Sequence, residues 1–238
     1  MKAVEVRELV KDYGNFRALN GISFEVNEGE VFGLIGPNGA GKTTALRVIA
    51  TLLQITSGSV TVFGYELPGE AGEVRKIISY LPEEAGAYKN LTGRDYLNFV
   101  ARFFGDGQRL QNTVRRGVDI ANLGERINDK VDTYSKGMTR RLLVGRALMV
   151  NPRLAILDEP TSGLDVINAQ EVRRIINSAV EAGVAVLLSS HNMLEVELLC
   201  HRIALMNDGI IIASGTAEEL KKEYDARNVE EAFVRAIR

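Results

Sequence analysis

Three short runs alternate apolar and polar side chains: residues 3–9 (Ala-Val-Glu-Val-Arg-Glu-Leu), 22–26 (Ile-Ser-Phe-Glu-Val) and 59–63 (Ser-Val-Thr-Val-Phe). A period of two turns one face to a core and the other to water, so these runs predict half-buried strands of an antiparallel sheet. Residues 31–35, 77–81, 154–157 and 184–188 are wholly or largely apolar. Such runs predict strands covered on both faces, as in a parallel sheet. Elsewhere the spacing is helical. Ala45, Leu46, Val48, Ile49, Leu52 and Leu53 follow one strand. Thr92-x-x-Asp95 opens a helix expected to reach Gly105, and a second spans residues 110–122 before Gly124. Ser135 caps a third, with Met138, Leu142, Leu143 and Ala147 on one side, ending at Asn151-Pro152. Residues 168–180 form another helix. Residues 202–206 and 210–213 flank a hairpin turn at Asp208-Gly209. Thr216 and Glu219 form a capping box, and Val229, Phe233 and Ile237 line one face of a last helix. The pattern is α/β: residues 83–150 are a helical insertion between β-rich parts at 1–82 and 151–238.

Composition narrows the function classes. The 238 residues are 45% hydrophobic and 25% charged, with a net charge of −2. There is no basic excess or basic run, which argues against a nucleic-acid partner. Cys200 is the only cysteine, so no internal disulfide forms, which suits a reducing cytosol; it reads as a half-buried hydrophobe in a helix. The N-terminus has no apolar leader, and no apolar run approaches the ~18–20 residues of a membrane span. A membrane role therefore calls for a second chain.

Candidate chemistry centres on Gly36-Pro37-Asn38-Gly39-Ala40-Gly41-Lys42-Thr43-Thr44, which fits G-x-x-x-x-G-K-[ST] between a strand and a helix. Its glycines let successive N–H groups turn inward as an anion nest, and the helix N-terminus adds its positive dipole end. Lys42 reaches the β- and γ-phosphates and Thr43 offers a hydroxyl to Mg²⁺, so the stretch predicts nucleoside triphosphate binding. Asp158 and Glu159 stand at the carboxyl end of a strand, where open α/β sheets bind ligands. His191 follows another strand and reads equally as a packing residue or a site residue at the same sheet edge. Tyr13, in Asp12-Tyr13-Gly14, reads equally as a loop aromatic or a platform for a base. His201 reads as structural.

In this order the pieces resemble an ABC-type ATPase, the nucleotide-binding subunit of an ABC transporter, over nearly the whole chain. Tyr13 stands at the adenine-stacking aromatic, residues 36–44 at Walker A, and Glu83 at the Q-loop position. Residues 134–138 (Tyr-Ser-Lys-Gly-Met) stand at the signature, residues 154–159 at Walker B, residues 162–165 at the D-loop and His191 at the switch histidine. The resemblance implies a RecA-like P-loop NTPase core with an antiparallel β subdomain and a helical insertion, in a single ATPase domain over 1–238. It also implies ATP and Mg²⁺ as cofactors. Thr43, Asp158 and Glu83 would serve the metal, Glu159 would be the general base, and Lys42 and His191 would stabilise transferred charge. Ser135 and Gly137 would meet the γ-phosphate held by a second subunit, identical or related. A transmembrane permease would hold the pair at the inner face of the membrane. Two departures stand out: Glu83 replaces the family's glutamine, and Lys136 and Met138 replace a glycine and a glutamine of the signature. These variants look like the multidrug, antibiotic and sodium export subgroup. Alternatives are a soluble ATPase of the same class and a nucleotide-dependent clamp uncoupled from transport.

Overall fold

The computed structural model describes residues 1–238. The N-terminal strands β1 (Lys2–Tyr13) and β2 (Phe16–Asn27) pair antiparallel across a two-residue turn, Tyr13 opposite Phe16. They run well beyond the alternating segments, and Tyr13 ends β1 rather than lying in a loop. The alternation breaks because β1 carries register shifts. Val4 and Val6 are buried, Glu8 takes φ +46°, and burial resumes at Leu9. Extra residues in a strand reset which parity faces the core. With β4 (Ser57–Val62) and β5 (Tyr65–Leu67) the order is β2-β1-β4-β5.

The second sheet places β3 (Val31–Ile35) between β8 (Ala185–Ser190) and β9 (Arg202–Asn207), both parallel to it. β7 (Leu154–Asp158) and β6 (Ile78–Leu81) continue the parallel set, and β10 (Ile210–Gly215) adds an antiparallel edge. The apolar runs are explained by the two faces. Leu154, Ile156, Ala185 and Leu187 join the core that includes residues of β1, β2 and α1 (Lys42–Ile49). Ala155, Leu157, Val186 and Leu188 join the opposite core. That second core is completed by α3 (Gly93–Ala101), α4 (Gly107–Ala121), α5 (Lys136–Leu148) and α6 (Val166–Glu181). Each buried strand therefore stabilises two layers at once.

Several boundaries differ from expectation. Ile77 ends a short helix, α2 (Ala71–Ile77), instead of beginning β6. α3 stops at Ala101, four residues before Gly105, and the turn after it leaves Phe103 and Phe104 exposed. A further helix, α7 (Met193–Leu199), follows His191, and Cys200 caps it from just outside. α8 (Ala217–Glu223) opens on the expected capping box, and α9 (Val229–Ala236) buries Val229 and Phe233 while Ile237 stays exposed. His201 is structural: its Nδ1 accepts from the Val31 N–H at 3.0 Å.

Candidate nucleotide site

Parallel register brings the carboxyl ends of three strands level. Ile35 pairs with Ser190, and Asp158 pairs with Ser189. The glycine loop leaves β3, Asp158 ends β7, and His191 follows β8. Sequence-distant groups thus meet at one edge of the sheet.

The loop is closely fitted. A Cβ on Gly36 would stand 2.0 Å from the Met206 carbonyl oxygen, so no larger residue fits there. Gly41 turns into α1 with φ +98°, a conformation that favours glycine. No side chain caps α1, and its first turn holds no acidic residue, leaving N–H donors and a positive dipole end for an anion. Lys42 is buried, and its Nζ donates to the carbonyls of Gly36 at 2.7 Å and Pro37 at 3.0 Å. The ammonium also lies 3.9 Å from Glu159. Burial pulls the Lys42 amine below its ordinary range, while Glu159, Asp158 and Glu83, in that order, push it back up.

Asp158 is the hub of the acidic side. Its Oδ1 accepts from Thr43 Oγ1 at 3.1 Å and from Ser189 Oγ at 2.6 Å, and its Oδ2 from the Tyr80 hydroxyl at 3.4 Å. Ser189 in turn accepts from the Glu159 backbone N–H at 3.0 Å. Glu159 is buried, adopts φ +51°, and receives a 2.9 Å contact from His191 Nδ1 on its Oε2. A non-glycine residue in that backbone region is held there by its surroundings, as functional residues often are. The His191 side chain is 47% exposed, so it reaches Glu159 from the solvent side.

The donor chemistry fits Mg²⁺. Mg²⁺ takes oxygen ligands, commonly one or two carboxylates together with phosphate oxygens. Thr43 and Asp158 offer such oxygens, a hydroxyl and a carboxylate. Glu83 is exposed and hydrogen-bonds to neither, although its charge acts on Lys42.

Other expected residues lie elsewhere in the chain. Tyr13 is 43% exposed at the end of the first hairpin, with Lys11 Nζ 5.2 Å from its ring centroid. Its hairpin borders the glycine loop through β2, whose Ala18 carbonyl would lie 2.7 Å from a Cβ on Gly41. Ser135 is exposed and caps α5 by accepting from the Met138 N–H at 3.2 Å. Gly137 packs on α6: a Cβ there would stand 2.1 Å from the Asn168 side chain. Ser135 and Gly137 are not among the groups gathered round Lys42. Ser189, Tyr80 and Arg140 are functional candidates that the sequence pattern did not mark. For Ser189 the only local signal was its place at a strand end two residues before His191.

The family described as ABC transporter matches residues 19–162. The linearmycin resistance ATP-binding protein LnrL of Bacillus subtilis is 36% identical over 244 residues, covering 99% of this chain and 78% of that protein. The Escherichia coli protein named "Probable multidrug ABC transporter ATP-binding protein YbhF" is 38% identical over 240 residues, covering 98% of this chain. The chain spans 41% of YbhF's own length. A solved structure described as the ATP binding subunit of an ABC transporter superposes with a TM-score of 0.86 at 28% identity, covering 99% of this chain and 100% of that one. On the strength of the family match and of relatives alike along nearly all its length, the chain belongs to the ABC transporter family as one of its ATP-binding proteins.

Proposed function

We propose that this chain is a Mg²⁺-dependent ATPase subunit that drives export through a separate membrane subunit. One observation carries the reading: Lys42, at the end of the glycine loop, stands 3.9 Å from Glu159, which His191 contacts on its other oxygen. In this reading the loop amides and Lys42 bind the β- and γ-phosphates. Lys42 exchanges its two carbonyl acceptors for phosphate oxygens, a stronger, charge-assisted contact. Thr43 and Asp158 would hold Mg²⁺, with Glu83, in the loop after β6, as a further candidate ligand; the metal would supply neutralisation of phosphate charge. Glu159 orients the attacking water and takes its proton, while His191 steadies the Glu159 carboxylate and the transferred phosphoryl group. Tyr13 stacks on the base.

Ser135 and Gly137 are not among the groups that contact Lys42, so the reading calls for a second copy, or a related subunit, placed head to tail. The exposed Val166 and Ile167, next to the D-loop, suit such an interface. No helix is long and apolar enough to cross a membrane. The membrane subunit is then another chain, and it docks beside Glu83. There Tyr88, Phe99 and Phe103 form an exposed edge-to-face ladder with centroid spacings of 5.4 and 5.5 Å. Relatives named for linearmycin resistance and multidrug transport support the export reading, and pairing with the membrane subunit would hold the chain at the inner face of the membrane. The same relatives do not favour a clamp uncoupled from transport.

The test is steady-state ATPase activity with nucleotide binding beside it. Lys42→Ala is expected to lose ATP binding. Glu159→Gln is expected to keep ATP binding and lose turnover by about a hundredfold or more, the scale of a removed general base. Wild-type turnover no greater than that of Glu159→Gln would overturn the hydrolytic assignment.

A further inference from the structure

Arg140 is a charged side chain on α5 that the mechanism above does not use. It is 7% exposed. Its Nη2 donates to the Glu83 carbonyl at 3.1 Å, while its Nη1 is buried without a partner. Buried donors in folded proteins are nearly always satisfied, and a charged one left without an acceptor is costly. Glu83 lies at the other end of this contact: its carboxylate is exposed and accepts no hydrogen bond from the protein, in a position where the family resemblance expects a neutral glutamine.

We propose that Arg140 is a positioning residue for the Glu83 loop. Its guanidinium, rooted in the helix that opens at Ser135, grips the loop by the Glu83 carbonyl and offers Nη1 to the Glu83 carboxylate, so that the two motifs move together. This rests on the ATPase reading given above and adds to it a link between the segment beside the membrane subunit and the helix that meets the partner's nucleotide.

Three features support the assignment. Arg146, six residues further along α5, donates to the Tyr80 carbonyl at 3.2 Å. Two arginines on one helix therefore hold the backbone on both sides of Pro82, an arrangement suited to moving that stretch as a rigid piece. The charge pattern agrees as well. Burial pulls the Arg140 guanidinium below its ordinary range, and Glu83 is the first of the carboxylates opposing this, ahead of Glu159 and Asp158. The extra negative charge at position 83 thus has a cation placed to balance it. Finally, the planar fork of a guanidinium can serve a carbonyl and a carboxylate together, which an ammonium cannot do as well.

The experiment is a double-mutant cycle on the full chain, using Arg140→Gln, Glu83→Gln and the pair. It reads kcat and KM for ATP, the Kd of a fluorescent ATP analogue, and amide hydrogen exchange over residues 82–88. Arg140→Gln is expected to lower kcat about tenfold, a modest loss of alignment, while the Kd moves less than about twofold. Exchange over 82–88 is expected to quicken, and the double variant to lose less than the product of the single losses. Arg140→Lys is expected to fall between Arg140→Gln and wild type in both rate and exchange. Should Arg140→Gln fail to fold, Arg140→Met fills similar space without a charge and carries the same expectations. Unchanged exchange over 82–88, or losses that simply multiply, would overturn the proposal. Absence of turnover in wild type would count against the ATPase reading, while the exchange data would still judge the Arg140 link.

Discussion

Ser189 touches both acidic residues of the site, Asp158 through its carboxylate and Glu159 through its backbone. It is fully buried, donates to Asp158 Oδ1 at 2.6 Å and accepts from the Glu159 N–H at 3.0 Å. Its hydroxyl therefore fixes the Asp158 carboxylate and the unusual backbone of Glu159 in one step. Ser189→Ala leaves a buried N–H and a carboxylate oxygen each short of a partner, for a stability loss of about 1–3 kcal/mol. On the proposed role of Asp158 as a Mg²⁺ ligand, loss of the hydroxyl that orients its carboxylate is expected to lower Mg²⁺ affinity in the presence of ATP about tenfold or more. Titration of ATPase activity with Mg²⁺, alongside thermal melting, checks both expectations. An unchanged Mg²⁺ midpoint in a folded variant would remove Ser189 from the metal's support. The sequence could not reveal this residue, because its role depends on β8 pairing with β7 in a register that sets Ser189 opposite Asp158. Lys42, Asp158 and Glu159 were legible because their chemistry is carried by local spacing at a strand end. Arg140 was illegible for the opposite reason: on its helix it reads as one more surface cation, and only the packing of α5 against the loop after β6 buries it.

Among elements, α9 shows how a short helix is held by a few groups. Asn228 caps it, accepting from the Glu231 N–H at 2.8 Å. The Glu231 carboxylate takes a 2.9 Å bond from the Arg227 backbone N–H, a 2.7 Å bond from Arg235 and a 3.2 Å bond from the Arg227 side chain. These donors, the Arg227 N–H first, hold the Glu231 carboxyl down at about 2 from an ordinary value of 4.5. A carboxyl depressed in the folded state stabilises fully above its unfolded value and loses that contribution as pH falls toward its folded value. The attachment of α9 is therefore expected to weaken between pH of about 4.5 and 2, read as faster amide exchange over residues 228–237. Glu231→Gln should remove that pH dependence while speeding exchange at neutral pH; an acid transition that persists in this variant would assign it to other groups. The same helix was legible in advance, since Val229 and Phe233 keep helical spacing and are both buried. α2 was not, because its seven residues bury only Val74 and so carry no period to detect. The caps signalled at Thr92, Ser135 and Thr216 are all present. The stop expected at Gly105 comes earlier, at Ala101, because the apolar Phe103 and Phe104 continue the helical pattern into a turn that exposes them.

On the scale of the whole molecule, the placement of the glycine loop and of Ser135 sets a geometric condition. Lys42 and Glu159 are 3.9 Å apart, whereas Ser135 is exposed at the start of α5, where Gly137 packs on α6. If a working site needs Lys42 from one subunit and Ser135 from another, a symmetric pair holds two such sites, each shared. That condition can be tested without knowing the cargo. Ser135→Arg spoils the donor face and leaves the glycine loop intact; Lys42→Ala does the reverse. Each variant alone is expected to be inactive, because every site in either homodimer lacks one half. In an equal mixture, half of the dimers are mixed. Each mixed dimer rebuilds one intact site from the good loop of one chain and the good signature of the other. Random pairing then predicts recovery to about a quarter of wild-type activity, and the recovery should depend on protein concentration as dimerisation does. ATP-induced dimer formation by the mixture in size-exclusion chromatography provides the companion measurement. A mixture no more active than its parents, under conditions where mixed dimers are seen to form, would mean that Ser135 does not act across the interface, and the shared-site arrangement would have to be given up.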